Sequence, residues 1–198
     1  MTANRWEDHY TRRARNEKWL ARSVYKLQEI DKKFRLIHKG DRILDLGCYP
    51  GSWSQYCLKT VGPTGDVAGI DLVPPEKIIQ LTHFRFIQGD IFEMDPEWLK
   101  SEIGRRDAVL SDLAPKTTGV KSTDATRSIA LAEKALEIAR VVLEKKGHLL
   151  CKVLEGEDFK AFRDEVGRHF GQTRLLRPKA TRKRSSEVYI IGMDFPGQ

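Results

Sequence analysis

Three aspartates stand at or just after the ends of short apolar stretches of the chain. Asp71 ends DVAGID, Asp90 follows FRFIQ after one glycine, and Asp112 follows DAVLS. Because the carboxyl ends of neighbouring parallel strands meet at one edge of a sheet, these carboxylates are expected to converge on one crevice. Each aspartate alone has an alternative role as a helix or turn cap. Three at successive strand ends favour a ligand site.

The stretch LDLGCYPGSWSQY, residues 44–56, is typical of the strand-to-helix turn of a nucleotide-binding fold, but it carries no phosphate-binding motif. Neither GxGxxG nor GxxxxGK[ST] is present, so the turn is not suited to a pyrophosphate. Asp71 follows Gly51 by 20 residues, close to the spacing of an acidic residue that binds ribose hydroxyls. This combination predicts an adenosine cofactor without phosphates, and S-adenosylmethionine (AdoMet) fits it.

The same turn provides further candidate cofactor contacts. Gly47 and Gly51 allow the backbone to approach the methionine end of AdoMet closely. Asp90, beside a glycine, is placed to contact the adenine edge. Pro50 and Trp53 are expected to stiffen and wall the pocket, with an ordinary core position as the alternative for Trp53.

Four charged residues are candidates for the chemical step: Lys26, Asp112, Lys152 and Glu187. Lys152 lies inside an otherwise apolar strand, where an unpaired ammonium group is costly, so it must have partners or reach the strand end. If the final strand runs opposite to its neighbours, its first residue, Glu187, reaches the same edge as Lys152 and Asp112. Lys26, in RSVYKLQEI, must be carried to that edge by an N-terminal helix.

The elements that position these residues alternate along the chain. Short stretches rich in β-branched residues predict strands at 42–46, 66–71, 84–88, 107–111, 147–154, 173–177 and 187–193. Helical patterns lie near 22–34, 52–60, 96–103, 124–145 and 157–169. This alternation predicts an α/β fold with a mostly parallel sheet and helices on both faces. The last two strands lack a crossover helix between them and are predicted to be antiparallel neighbours.

Length and composition limit the class of protein. With 198 residues, 40% of them hydrophobic, the chain 1–198 is predicted to form a single domain. The N-terminus is too charged for a secretory signal, and no stretch approaches the roughly 18 apolar residues of a membrane span. The three cysteines, Cys48, Cys57 and Cys151, show no CxxC spacing, which argues against disulfides and zinc. We expect a metal-free, monomeric protein of the cytoplasm.

The net charge of +7 is concentrated near the two ends of the chain. Residues 1–22 contain six Lys/Arg against three acidic residues, and residues 172–186 contain six against none. Elsewhere acidic residues slightly outnumber basic ones, 25 to 23. One such charged segment is often only a solvated surface, but two flanking a nearly neutral body favour a polyanion such as RNA as partner.

Five stretches together, LDLGCYPGSWSQY, SDLAPKTTG, KVLEGEDF, SSEVYII and RSVYKLQEI, resemble the FtsJ/RrmJ (RlmE) family of AdoMet-dependent ribosomal RNA 2′-O-methyltransferases. The resemblance covers roughly residues 5–193. It implies a single-domain, Rossmann-like class I methyltransferase with a seven-stranded sheet whose last strand is antiparallel. It also implies a catalytic tetrad of Lys26, Asp112, Lys152 and Glu187. The cofactor-binding residues, taken from the spacing and the resemblance together, are Gly47, Pro50, Gly51, Trp53, Asp71, Asp90 and Asp112.

The resemblance implies a uridine ribose in the A loop of large-subunit (23S) ribosomal RNA as the acceptor, with a transfer RNA ribose as the alternative. Since no module that reads base sequence is appended to the domain, specificity is expected to come from the shape of the assembled 50S subunit. A nicotinamide dehydrogenase is disfavoured by the missing pyrophosphate glycines. An AdoMet-binding RNA chaperone without activity would not need the tetrad.

Removal of the proton from a ribose hydroxyl requires a base, and we assign this role to Lys152. Burial and the like charge of Lys26 favour the neutral amine of Lys152, whereas Asp112 and Glu187 favour its ammonium form. Asp112 is expected to orient Lys152 beside the AdoMet methyl group. Lys26 and Glu187 are expected to position it and adjust its charge.

The chain departs from the family pattern at four positions. Cys48 and Tyr49 replace a pair of small residues, Ser52 replaces a frequent glycine, and Lys116 stands where asparagine usually follows "AP". We expect Tyr49 to narrow the pocket mouth and Lys116 to add a positive charge near the RNA path. None of the four belongs to the tetrad.

Overall fold

Seven strands form one continuous sheet in the computed structural model, which describes residues 9–75, 77, 81–182 and 185–197. The strands are β1 (Arg42–Leu46), β2 (Asp66–Asp71), β3 (Phe84–Gln88), β4 (Arg106–Ser111), β5 (Leu143–Leu154), β6 (Gln172–Leu176) and β7 (Glu187–Met193). Their order in the sheet is β3-β2-β1-β4-β5-β7-β6. The strand β7 is reversed relative to the other six strands, since it pairs antiparallel with both β5 and β6. The predicted seven-stranded, mostly parallel α/β sheet is confirmed.

Helices cover both faces of this sheet, as predicted. They are α1 (His9–Asn16), α2 (Val24–Phe34), α3 (Ser52–Val61), α4 (Pro96–Ile103), α5 (Lys121–Val142) and α6 (Phe159–His169). Leu27 of α2 and Cys57 of α3 pack against one face. Leu99 of α4, Ile138 of α5 and Phe162 of α6 pack against the other face. The apolar strands are therefore buried on both sides, which explains their nearly continuous hydrophobic sequences.

Two predicted boundaries on the chain differ from the structure in ways that have a physical cause. The helix predicted at 124–145 ends at Val142, because Leu143 already pairs with Arg106 of β4 and begins β5. A register shift between Arg106 and Ala108 accommodates the longer strand. The sequence VVLEKKG is compatible with either element, and the pairing with β4 decides between them.

The N-terminal helix α1 was not predicted from the sequence. Its mostly polar residues leave one buried side chain, Ala14, which packs with Val24, Tyr25 and Ala180. This small cluster joins α1, the start of α2 and the loop between β6 and β7. It fixes the segment that leads into Lys26.

Candidate active site

The carboxyl ends of β1 to β4 surround a cavity of about 520 Å³, which we call the carboxylate cavity. Asp71, Asp90 and Asp112 all line it, so the predicted convergence of the three aspartates is confirmed. Gly47 of the first turn lines it as well. Hydrophobic side chains complete its wall: Leu72, Ile91, Phe92, Leu113 and Leu131.

Asp71 and Asp90 also stabilise the loops that carry them. Asp71 accepts the backbone N–H of Tyr49 at 2.9 Å and that of Val73 at 3.1 Å. Asp90 accepts the N–H of Phe92 at 3.0 Å. A carboxylate can accept about four hydrogen bonds, so both groups retain acceptor capacity for a ligand. The capping role and the ligand role are therefore compatible.

The first turn needs both of its glycines for their left-handed backbone, and Gly47 also for a close contact. Gly47 has φ +78°, and a Cβ there would lie 2.9 Å from Leu113 Cδ2. Gly51 has φ +107° at the N-cap of α3. Both conformations lie in the left-handed region that favours glycine. Only Gly47 of the pair lines the carboxylate cavity, while Pro50 and Gly51 lie in the turn behind Tyr49, so their cofactor contacts stay predictions.

The expected position of the Trp53 indole is wrong. Trp53 is 3% exposed and is not among the residues that line the carboxylate cavity. Its Nε1 donates a hydrogen bond to the Ser23 carbonyl oxygen at 3.0 Å, and its ring lies 5.9 Å from that of Tyr189. The first turn of α3 directs this side chain toward α2 and the sheet. The alternative of a core position is the one that the structure shows.

A second cavity, of about 400 Å³, lies beside the first, and we call it the lysine cleft. Lys26, Lys152 and Glu187 line it. Lys26 Nζ lies 2.7 Å from Glu187 Oε1, and Lys152 Nζ lies 3.0 Å from Asp112 Oδ1. Lys152 also donates to the backbone oxygen of Asp112 at 2.5 Å. The four tetrad residues thus come together as two adjacent ion pairs.

The direction of β7 explains how this assembly forms. In the antiparallel ladder of β5 and β7, Leu154 is opposite Glu187 and Lys152 is opposite Tyr189. Since alternate residues of a strand share a face, Glu187, Tyr189 and Lys152 project from the same side of the sheet. Lys152 is only 7% exposed, so its charge depends on partners within the site.

Tyr189 is a site residue that sequence reasoning missed. Its hydroxyl donates a hydrogen bond to Asp112 Oδ1 at 2.7 Å, and Lys26 Nζ lies 5.9 Å from the centre of its ring. Burial, together with Asp112 and Glu187, raises the pKa of Tyr189 well above its usual value, so the phenol remains a neutral donor. Its position two residues after Glu187 was the available signal.

The surroundings of Asp112 keep it ionised. Burial would raise its pKa, but the charges of Lys152 and Lys26 and the Tyr189 hydroxyl outweigh that effect, so the pKa of Asp112 is lowered. Asp112 lines the carboxylate cavity while it pairs with Lys152 of the lysine cleft. It is therefore the charged group that joins the two cavities.

The segment that follows Asp112 separates the cavities. Ala114 and Pro115 line both of them. Asp124, in the first turn of α5, accepts hydrogen bonds from Thr118 N at 2.7 Å and Thr118 Oγ1 at 2.8 Å. These bonds lower the pKa of Asp124 and hold the end of the segment against α5. Asp124 is a second residue that sequence reasoning did not identify.

The departures from the family pattern occupy different environments. Tyr49 and Lys116 line the carboxylate cavity, and Tyr49 is 54% exposed. Cys48 is buried, and Ser52 Oγ lies 2.9 Å from Ser23 Oγ. The position of Tyr49 agrees with the expectation of a narrower mouth.

Both basic segments reach the lysine cleft. Arg22 and Arg182 line it, and the charge of Arg182 adds to the effect of burial in lowering the pKa of Arg22. Three basic residues of segments 1–22 and 172–186 lie outside the described residues: Arg5, Lys183 and Arg184. The cleft that contains the tetrad is therefore flanked by positive charge from both ends of the chain.

The described residues contain neither a candidate metal centre nor a helix that could span a membrane. In the part of the chain that the structure describes, no group of three or more His, Cys, Asp and Glu side chains is arranged to hold a metal ion. Among the same residues, no helix combines the length and apolar character needed to span a membrane. Cys48, Cys57 and Cys151 are buried free thiols.

The sequence matches the family model of FtsJ-like methyltransferases over residues 19–195. It is 46% identical to ribosomal RNA large subunit methyltransferase E of Desulfatibacillum aliphaticivorans, over 98% of this chain and 93% of that protein. The protein of the same name from Methanothermobacter thermautotrophicus is 41% identical, over 99% and 93% of the two chains.

Solved structures give the same grouping. A ribosomal RNA methyltransferase from Plasmodium falciparum superimposes with a TM-score of 0.77 at 27% identity, over 91% of this chain and all of that one. The fibrillarin of Aeropyrum pernix, solved with bound S-adenosyl-L-methionine, has a TM-score of 0.65 at 18% identity, over 86% and 76% of the two chains. The second likeness concerns the fold alone.

Proposed function

Because the chain belongs to the FtsJ-like methyltransferase family, we propose that it transfers a methyl group from AdoMet to a ribose 2′-hydroxyl of large-subunit ribosomal RNA. The observation that carries the proposal is the Lys152–Asp112 pair at the junction of the two cavities. One cavity has the lining for a cofactor, and the other has a base for the acceptor. A methyl transfer requires both at one point.

The carboxylate cavity fits AdoMet. Its volume of about 520 Å³ lies within the range of about 300–1,000 Å³ that is usual for ligand pockets. Asp71 would hold the ribose hydroxyls and Asp90 the adenine edge, while the hydrophobic wall would contact the adenine ring. Three carboxylates also suit a cationic ligand. When bound, AdoMet supplies a methyl group on a positively charged sulfur.

In the lysine cleft, Lys152 removes the proton of the 2′-hydroxyl. Asp112 orients the Lys152 nitrogen and remains ionised. The Tyr189 hydroxyl and the Lys152 nitrogen both bond to Asp112 Oδ1. By donating to this oxygen, Tyr189 fixes the Asp112 carboxylate in the orientation that contacts Lys152. Lys26 and Glu187 neutralise each other beside it.

The acceptor is proposed from the names of the relatives and from the charge of the chain. The relatives at 46% and 41% identity are named for the large ribosomal subunit RNA. Arg22 and Arg182 at the cleft suit the phosphates of an RNA backbone. We propose a uridine of the A loop, presented by the assembled 50S subunit, as the target of a monomeric, cytoplasmic enzyme.

The test compares three RNA substrates with labelled AdoMet at equal salt and RNA concentration: unmodified 50S subunits, deproteinised ribosomal RNA and transfer RNA. We expect much faster methylation of 50S subunits, with the label on one uridine ribose in a map of 2′-O-methylation. Equal or faster rates on transfer RNA would overturn the ribosomal assignment and leave ribose methylation in place. No methylation of any RNA by the wild-type protein would overturn the proposed function.

A further inference from the structure

A third cavity, of about 540 Å³, lies outside the candidate active site and shares no lining residue with either of its cavities. It lies between the segment that follows α1, the C-terminal half of α3 and the residues just before β3. We call it the Trp19 pocket. Its lining includes Lys18, Trp19, Leu58, Lys59, Pro63 and Leu81. Its apolar part is formed by two leucines and a proline around the indole.

The indole of this pocket is held in place before any ligand binds. Gln55 clamps the backbone on both sides of Trp19, because its Oε1 accepts from Leu20 N at 3.2 Å and its Nε2 donates to the Lys18 oxygen at 3.0 Å. Trp19 Nε1 donates to Glu17 Oε2 at 3.0 Å. A flat ring fixed in this way loses little conformational entropy on binding, which favours its use as a stacking surface.

The surroundings of the indole are cationic. Lys59 Nζ lies 5.6 Å from the ring centre, and Lys18 lines the pocket from an exposed position. Among the described residues of the lining the acidic one is Glu17, which is paired with Arg13 at 2.7 Å, so its charge is offset. An aromatic face with lysines beside it is the combination that binds a nucleobase and its phosphates.

The pocket is also close to the proposed path of the RNA. Trp19 precedes Arg22 of the lysine cleft by three residues, which separates their Cα atoms by at most about 11 Å. The Trp19 pocket therefore lies within reach, a few nucleotides along, of an RNA strand that has a ribose in the lysine cleft.

We propose that the Trp19 pocket binds a base of the RNA substrate that flanks the methylated nucleotide. The base stacks on the indole, and Lys18 and Lys59 contact the adjoining phosphates. This inference rests on the proposed function, since it takes its ligand from the same RNA. It assigns part of the RNA binding to a preformed aromatic site, in addition to the basic segments.

The test uses two substitutions of one residue and a matched control. Trp19→Leu keeps an apolar side chain and removes the aromatic face, whereas Trp19→Phe keeps an aromatic face. Trp98→Leu changes a tryptophan of α4 that is 46% exposed and lies outside all three cavities. For Trp19→Leu we expect the KM for RNA to rise about tenfold, within the roughly 5- to 150-fold range for one stacked base. The KM for RNA of Trp19→Phe should stay within about threefold of the wild-type value, and that of Trp98→Leu should equal it. The Kd of AdoMet should be the same in all of these proteins.

An unchanged KM for RNA in a Trp19→Leu protein would overturn the inference. A rise of KM for 50S subunits without a rise of KM for deproteinised ribosomal RNA would also overturn it, because the pocket would then bind a ribosomal protein. If Trp19→Leu fails to fold, tryptophan fluorescence provides the test in a protein with Trp6→Phe and Trp98→Phe. RNA should quench the emission of this protein, and the quenching should disappear when Trp19→Phe is introduced as a third substitution. No quenching would overturn the inference. Wild-type turnover on RNA, measured alongside, separates this failure from failure of the proposed function.

Discussion

In the carboxylate cavity, Asp71 and Asp90 are held by backbone N–H groups of turns, whereas the charges of the lysine cleft pair between side chains that are distant in the chain. Asp90 accepts from an N–H two residues away, and Asp71 accepts from Val73 and from Tyr49 of the adjacent turn. The Lys26–Glu187 pair joins residues 161 positions apart in the chain. The first region therefore depends on local turns, and the second on the topology of the whole sheet.

This difference has a functional counterpart. The carboxylates of the first cavity have spare acceptor capacity and attract a ligand with hydroxyl donors and positive charge. Among the four tetrad residues two cations face two anions, so these groups neutralise and act on each other, while Arg22 and Arg182 add positive charge to the lining of the cleft. We therefore expect substitutions in the carboxylate cavity to change cofactor affinity and substitutions in the lysine cleft to change turnover.

The largest effect is expected from Lys152→Ala. Without the proposed base, kcat should fall about 10²- to 10⁴-fold, while the Kd of AdoMet stays within about threefold of the wild type. Single-turnover methylation and calorimetric titration with AdoMet measure the two quantities. Lys160→Ala, at an exposed lysine of α6, is the control. Turnover within a few-fold of the wild type would remove Lys152 from the mechanism.

The next effect concerns Asp45, which lies on β1 between the strands that lead to Asp71 and Asp112. Asp45 is fully buried; Ser54 donates to its Oδ2 at 2.6 Å, and its Oδ1 has no hydrogen-bond partner among the described residues. Burial, with smaller contributions from Asp112 and Asp71, raises the pKa of Asp45 to about 7 despite the Ser54 bond.

A carboxyl group whose pKa is raised on folding contributes stability at low pH and loses it as the pH rises toward its folded pKa. Between about pH 4 and pH 7 the free energy of unfolding should therefore fall by on the order of 1 kcal/mol per pH unit from Asp45 alone. Asp45→Asn should remove this slope. Urea unfolding of both proteins across this range measures it, and identical pH dependence would contradict the assignment.

A smaller effect is expected from Asp71→Ala in the carboxylate cavity. Loss of charged hydrogen bonds to the cofactor ribose should weaken AdoMet binding by about 10- to 100-fold, with kcat at saturating AdoMet nearly retained. Asp95→Ala is a matched control, because Asp95 also accepts a backbone N–H, from Glu97 at 2.9 Å, but lies outside both cavities. Unchanged cofactor affinity would refute the ribose contact.

The smallest effect tests the residue that joins the two regions. Tyr189→Phe removes the hydrogen bond to Asp112 and should lower kcat about tenfold without changing the Kd of AdoMet. The loss appears in kcat alone because Tyr189 orients Asp112 and does not line the carboxylate cavity. Tyr56→Phe, which removes a hydroxyl bonded to Asp31, is the control. A kcat within about twofold of the wild type would restrict Tyr189 to packing.

Sequence reasoning identified what depends on strand ends. The carboxyl ends of parallel strands share an edge, so Asp71, Asp90 and Asp112 could be placed together without coordinates. Glu187 followed from the antiparallel direction of β7. These arguments need only the order and direction of strands.

Sequence reasoning failed where the direction of a side chain decides its contacts, or where the local pattern of an element is weak. Trp53 has the spacing of a pocket residue, but the helical phase of α3 turns its indole into the core. Tyr189 is one of several apolar residues in EVYIIGM, and only its position two residues after Glu187, on the same face of the strand, separates it from them. The helix α1 is short and mostly polar, with one buried alanine, so it lacks the apolar content that marked the other helices in the sequence.

Ala114 and Pro115 form a partition with one side toward each cavity. We expect a ligand that displaces this partition to change the space available on its other side and so to couple the cofactor and RNA binding equilibria. Such coupling is reciprocal: the factor by which RNA alters the affinity for AdoMet equals the factor by which AdoMet alters the affinity for RNA. Titrations of each ligand with and without the other measure that factor twice, and a value of one would show that the two equilibria are independent.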